Sequence, residues 1–260
     1  MEGLAKRIAR RLLPPTVANW LGAQGRWVQA RLHGDEPAPP RGLVRFGSLR
    51  RLTPLDRMYG GRRGLPIDRY YIEGFLERHA GSIRGRVLEI GDSYYTRRFG
   101  GDRVTRSEVL HAVEGNPEAT LVADLSRADH LPSDAFDCIV FTQTLHLIYD
   151  FRAALSTLHR ILAPGGTVFA TFPGITQISR PDMDSWGQYW SFTSLSARRC
   201  FEETFPGAQV EVEAHGNVLV ASAFLFGLAV QELRRAELDH HDPDYEFLIT
   251  VRVVKPGRPG

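Results

Sequence analysis

Residues 86–92 read Arg-Val-Leu-Glu-Ile-Gly-Asp, a short apolar run that ends on a glycine and an aspartate. It opens an ordered series. Leu-Val-Ala-Asp-Leu follows at 121–125 and Phe-Asp-Cys-Ile-Val-Phe at 136–141. Leu-His-Arg-Ile-Leu-Ala-Pro-Gly-Gly-Thr-Val-Phe-Ala-Thr completes it at 158–171. Apolar runs of this length, bounded by turn residues, predict strands at 86–90, 104–110, 120–123, 136–141 and 166–171. Between and after them the sequence predicts helices near 94–99, 126–130, 151–162 and 194–204. Such alternation argues a parallel sheet with helices on both faces. Ahead of the series, Leu65-Pro66-Ile67-Asp68 reads as a helix start with Asp68 as its cap, and Ile72, Phe75, Leu76 and His79 form an apolar face. The chain closes with a strand at 210–214, a helix near 218–236 and a strand at 247–254.

A chain of 260 residues with 43% hydrophobic residues can bury a sizeable core. No apolar run reaches the roughly 18–20 residues that cross a bilayer. No signal peptide is expected, because no apolar segment with a cleavage site follows the Arg-rich start. The two cysteines, Cys138 and Cys200, make neither a disulfide framework nor a zinc site and suit a reducing cytoplasm. The net charge of +2 hides an asymmetry. Residues 1–64 hold 13 Lys/Arg against 4 Asp/Glu, a charge of +9, which leaves −7 for the rest. Within this arm, residues 4–13 and 17–32 have amphipathic helical spacing, the second with Trp20 and Trp27, and 34–40 reads as a linker. The expected division is a basic helical arm and linker at 1–64 and a single domain at 65–260. The arm is a candidate for homo-oligomer contact or for peripheral membrane contact. Nucleic acid is not an expected partner.

The ordered series resembles the class I S-adenosylmethionine-dependent methyltransferases, over roughly residues 70–175. The resemblance implies a Rossmann-like doubly wound α/β sheet, mostly parallel with a C-terminal antiparallel hairpin, and S-adenosyl-L-methionine as cofactor. The family's Gly-x-Gly-x-Gly loop stands here as Gly91-Asp92-Ser93-Tyr94-Tyr95, so Ser93 and Tyr95 replace two glycines. Gly91 and Asp92 are the expected loop contacts. Arg97 or Arg98 could compensate by pairing with the methionine carboxylate, and Tyr94 or Tyr95 by facing the sulfonium. One of the two tyrosines is expected to pack. The resemblance assigns Glu89 to orienting this loop, Asp124 and Leu125 to the adenine, and Gln143 to the cofactor's border. The ribose carboxylate is expected at the end of the second strand, as Glu108 or, second, Glu114.

His146, directly after the fourth strand, is the expected general base, since an imidazole with pKa near 6.5 accepts a proton at neutral pH. His215 ranks behind it. No carboxylate cluster suggests a metal. Residues 173–193 form a long insertion after the fifth strand. Its Trp186, Tyr189, Trp190 and Phe192 can stack on an acceptor, with two of the four expected to pack, and Arg180, Asp182 and Asp184 can bond hydroxyls. Tyr-Trp-Ser-Phe-Thr (189–193) followed by a helix resembles methyltransferases of glycan and natural-product pathways, and the resemblance implies O-methylation of a small hydroxylated acceptor, a sugar, glycan or secondary metabolite. The altered glycine loop motivates the alternative, a methyltransferase-like scaffold or binding subunit.

Overall fold

The computed structural model describes Pro14, Val17, Gly25, residues 38–39 and residues 42–258. Apart from those isolated positions, the helices and linker expected at 4–40 lie outside the described residues. The chain divides into two compact units between Leu52 and Thr53. The described part of the first unit carries one 3-10 turn, Gly47–Leu49. The sequence puts the division at 64/65, but residues 53–64 bond within the larger unit. Leu55 N donates to Phe226 O at 2.7 Å, and Arg63 pairs with Glu232. Gly227 makes this approach possible. Its φ is +72°, and a Cβ there would lie 1.9 Å from the Asp56 carbonyl oxygen.

In the larger unit, Pro66 precedes helix α1 (Ile67–Arg78) and occupies its cap position. Asp68 therefore falls inside the first turn and makes no cap bond, contrary to the sequence reading. Seven strands follow: β1 (Gly85–Ile90), β2 (Val104–His111), β3 (Leu121–Val122), β4 (Phe136–Thr142), β5 (Leu162–Pro173), β6 (Gln209–His215) and β7 (Leu248–Val254). They form one sheet of order β3-β2-β1-β4-β5-β7-β6. The pairs among β1–β5 are parallel. β7 runs antiparallel to both β5 and β6.

The central strands read as continuous apolar runs because both faces are covered. Register aligns Leu88, Ile139 and Val168. They pack on α2 (Phe151–Ile161) and on the helix at Ser194–Thr204. One residue out of phase, Val87, Cys138, Val140 and Phe169 meet α1 and the helix at Val218–Leu225. α2 buries Phe151, Ala154, Leu155, Leu158 and Ile161 along one stripe, and Asp150 caps it through Ala153 N at 3.1 Å. Three further helices are α3 (Arg180–Ser185), α4 (Ser194–Thr204) and α5 (Val218–Leu225). The helix expected near 218–236 stops at Leu225 because Gly227 turns the chain. A 3-10 turn (Val230–Glu232) and α6 (Arg235–Asp239) replace the rest. The expected helix near 94–99 is a wide π-type turn, Thr96–Gly100, and the one near 126–130 is a 3-10 turn, Leu125–Arg127. Gly165, in Pro164-Gly165-Gly166, turns with φ +78°. No described helix is long and apolar enough to cross a membrane.

Candidate active site

From β1 the chain moves out to β2 and β3, then returns to β4 on the other side of β1. The loops beyond β1 and β4 therefore part, and parting loops leave a crevice at the carboxyl ends of the strands. A cavity of about 1200 Å³ opens there.

Its first wall comes from strand ends. Gly91 leaves β1 with φ +90°, and a Cβ there would meet nothing within 4 Å. The conformation demands glycine, and the bare backbone lines the cavity. Gly91 N donates to Leu110 O at 3.0 Å, and Gly91 O accepts from Asn116 Nδ2 at 2.6 Å. Glu89 is buried and accepts from two backbone amides, Tyr95 N at 3.0 Å and Thr96 N at 2.7 Å. Burial raises its pKa, against the pull of those bonds. Asp92 accepts from Tyr94 N at 2.7 Å. Asp124 accepts from Ser126 N at 2.9 Å and Ser126 Oγ at 2.7 Å. Burial pushes its carboxyl up, but the Ser126 bonds and the nearby Arg127 hold it below the usual range. Leu125 sits beside it in the lining. Gln143 lines the cavity in a left-handed conformation, φ +48°, with its N–H on Thr171 O at 3.0 Å.

Several expected contacts lie elsewhere. Glu108 is buried within β2, not at its end, because the strand runs on to His111. Its carboxylate takes Arg86 Nη2 at 2.8 Å and Arg106 Nε at 2.6 Å, and it does not line the cavity. Glu114 is not part of the lining either. The strand-end position holds His111, which the sequence reading missed. His111 lines the cavity edge-on to Trp186, with ring centroids 5.5 Å apart. Arg97 is taken up by Ser93 and Glu118. Arg98 is held by Glu73 at 2.9 Å and by the Tyr94 hydroxyl at 2.6 Å, so neither arginine lines the cavity. Tyr95 is the tyrosine that packs, stacked on Phe99, while Tyr94 stays exposed.

The second wall comes from α1, residues 53–64 and the insertion. Tyr59, Asp68, Gln177, Asp182, Trp186 and Tyr189 line it. Side chains four apart on a helix share a face, and Arg180 pairs with Asp184 at 3.2 Å on a different face from Asp182. Arg180 is thus outside the cavity, a correction to its expected role. Trp190 is also outside. Its Nε1 donates to Ile148 O and Tyr149 O, both at 3.1 Å, and its ring rests on Phe151. With the buried Phe192 it anchors the insertion, which leaves Trp186 and Tyr189 facing the cavity.

His146 lines the cavity from the turn after β4 and is 5% exposed. Its Nδ1 has no hydrogen-bond partner, while its backbone oxygen accepts from Tyr189 N at 2.9 Å. Burial lowers its pKa to about 4, against the nearby Asp182 charge, so the imidazole is neutral well below pH 6.5. His215 is lowered to about 4 by burial as well, is bound to Thr250 Oγ1 at 2.9 Å, and lies outside the cavity. Among the described residues no group of three or more ligating side chains is placed to hold a metal.

This arrangement, an open glycine turn at the switch point with carboxylates on the neighbouring strand ends, defines a nucleotide-type cofactor crevice in a seven-stranded Rossmann-like fold. The profile of the methyltransferase domain family matches residues 69–215, more than half of the chain. The chain belongs to that family, within the class I S-adenosylmethionine-dependent methyltransferases. Curated relatives match in part. The ubiquinone/menaquinone biosynthesis C-methyltransferase UbiE of Haemophilus ducreyi is 32% identical over 73 residues, 27% of this chain and 26% of that protein. Probable polyketide synthase 10 of Dictyostelium discoideum is 30% identical over 64 residues, 25% of this chain and 3% of that protein. The chain thus spans about a quarter or less of these relatives' length. A solved complex between the Haloferax volcanii Trm112 methyltransferase activator and a methyltransferase shares the fold. It shows a TM-score of 0.50 and 15% identity, covering 78% of this chain and 96% of that one.

Proposed function

We propose that the chain methylates a hydroxyl oxygen of a small acceptor, a sugar, glycan or secondary metabolite, with S-adenosylmethionine as donor. The observation that carries the reading is the pairing, in one cavity, of a bare glycine turn with a buried, unpartnered imidazole. The strand-end wall fits the cofactor. Gly91 leaves room for close backbone approach, and Asp124 Oδ2 makes only a 3.6 Å contact with Arg127. Glu89, Gly91, Asp92, Asp124, Leu125 and Gln143 would hold it. When bound, the cofactor supplies an electrophilic methyl group.

The protein's task is then to orient the hydroxyl and receive its proton. His146 is the receiving group. An imidazole with pKa about 4 does not strip an alcohol in advance. It accepts the proton late, as the new O–C bond forms and the oxygen becomes strongly acidic. Trp186 and Tyr189 offer flat faces for the acceptor, and Asp182 and Gln177 offer hydrogen-bond acceptors.

Titration calorimetry with S-adenosylhomocysteine tests the cofactor half directly. Saturable binding is expected. No heat at millimolar ligand would favour a scaffold role instead. Arm residues 1–40 are proposed to serve association or localisation, so a truncation starting near Arg41 should retain that binding.

A further inference from the structure

The carboxylates of the cavity fall into two kinds. Glu89, Asp92, Asp124 and Asp150 each accept hydrogen bonds from backbone amides at the start of a turn or helix. Such bonds spread and stabilise a negative charge. Asp182 has no side-chain hydrogen bond or ion pair among the described residues. Asp68 accepts only from the N–H of the next residue, Arg69, at 2.9 Å. The lining holds two cations, Arg69 and Arg127. Arg69 donates to the Tyr95 hydroxyl at 3.0 Å and lies over its ring, and Arg127 sits beside Asp124.

Two further atoms are left over on the same side. Gln177 Oε1 is buried without a donor, and His146 Nδ1 is buried without any partner. Tyr59 connects the groups. The charges of Asp182 and Asp68 both reach it, and that of Asp182 also reaches His146. Asp182 and the Gln177 oxygen are acceptors without donors, Asp68 has one carboxylate oxygen left after its bond from Arg69 N, and the imidazole nitrogen can accept. Tyr59, Trp186 and Tyr189 line the same cavity. A phosphate or carboxylate placed between Asp182 and Asp68 would be repelled by both. An ammonium group has three donors, no acceptor and a positive charge, and it also binds aromatic faces.

We infer that the acceptor bears an ammonium group beside its hydroxyl, as in an amino sugar, an aminocyclitol or a hydroxylated amine, and that Asp182 and Asp68 hold it. The inference rests on the O-methylation reading and narrows its substrate class. Asp182 and Asp68 are specificity residues in it.

The experiment uses the full chain saturated with S-adenosylhomocysteine. Amino sugars, aminocyclitols and hydroxylated amines are titrated calorimetrically, each beside its N-acetylated and its deaminated hydroxy counterpart. At least one ammonium-bearing compound should bind about tenfold or more tighter than both neutral counterparts. Asp182→Asn and Asp68→Asn should each shrink that preference, and together bring it within about twofold, with S-adenosylhomocysteine affinity unchanged. Equal binding of the neutral compounds overturns the inference. So does a preference that survives both substitutions, or the failure of every ammonium-bearing compound. Mass spectrometry after turnover with the methyl donor separates the two readings. Methyl on nitrogen of a bound amine ends the O-methylation reading and leaves the ammonium site standing. Methyl on oxygen of a neutral sugar, with amines ignored, does the reverse. Absent cofactor binding ends both.

Discussion

The two walls of the cavity are built on different terms. The strand-end wall is largely satisfied by its own backbone: Glu89 gives both oxygens and Asp92 and Asp124 one each to backbone amides, and Asp124 Oδ2 is left for a ligand. The insertion wall is internally unsatisfied: His146 Nδ1 and Gln177 Oε1 are buried without partners, and the half-buried Asp182 carboxylate has no protein donor among the described residues. A wall that satisfies itself is a rigid mould. A wall that does not is waiting for ligand atoms, and its identity is the identity of the acceptor.

The sharpest break between the walls is expected at His146. His146→Gln should lower turnover by about 10²–10⁴-fold, the usual value of a positioned base. S-adenosylhomocysteine affinity should stay within about twofold, and loss of both would merge the walls into one unit. The pH profile adds a check. Because the imidazole protonates only near pH 4, acceptor turnover should not show an acid limb at 6.5. The unfolded chain takes up that proton first, so stability drains as pH falls from about 6.5 towards 4. His146→Gln should make this decline shallower in urea melts.

Next in size is Glu89→Ala, which strands the Tyr95 and Thr96 amides. Unpaired buried donors cost about 1–3 kcal/mol each, so unfolding free energy should fall by about 2–6 kcal/mol, with cofactor binding lost as the loop relaxes. A variant that keeps its stability would show that the strand-end wall is less self-satisfied than its bonds imply. Asp124→Ala should weaken S-adenosylhomocysteine binding by about 1–3 kcal/mol with little change in melting. Asp68→Asn should do the opposite on the other wall. Burial holds the Asp68 pKa above the ordinary 3.8, so the folded chain keeps this proton longer. The cost to stability begins above the unfolded value and is complete above the folded one. Above that folded value the substitution should raise the melting temperature. Smallest of all, Arg180→Ala should change stability by less than about 0.5 kcal/mol and leave acceptor binding intact, since its ion pair is exposed.

The same division decides what was legible in the sequence. Strand periodicity gave the apolar runs, and the family resemblance picked out Glu89, Gly91 and Asp124 at or near their ends; all three line the cavity. Glu108 failed on a matter of length. Two carboxylates lay near the end of a strand whose last residue, His111, is polar but not acidic. Tyr59 was out of reach, because it enters the wall through a turn with φ +57° and contacts more than 150 residues away in sequence. Asp68 was visible but misassigned, since a cap and a cavity carboxylate look alike one position apart. Of the insertion's aromatics, composition showed that some must pack. Only the indole bonds of Trp190 to Ile148 O and Tyr149 O reveal which.

The strand order carries a consequence for how the chain is made. β6 is synthesised before β7, yet β7 is its sole neighbour in the sheet and also covers the outer edge of β5. While the chain grows, the ribosome releases β6 with no partner to pair with, and β5 waits with an open edge. Only when residues 248–254 emerge does the last strand slide between the two and close both. A message truncated before that point yields a protein with two exposed strand edges, a template for aggregation rather than a smaller enzyme.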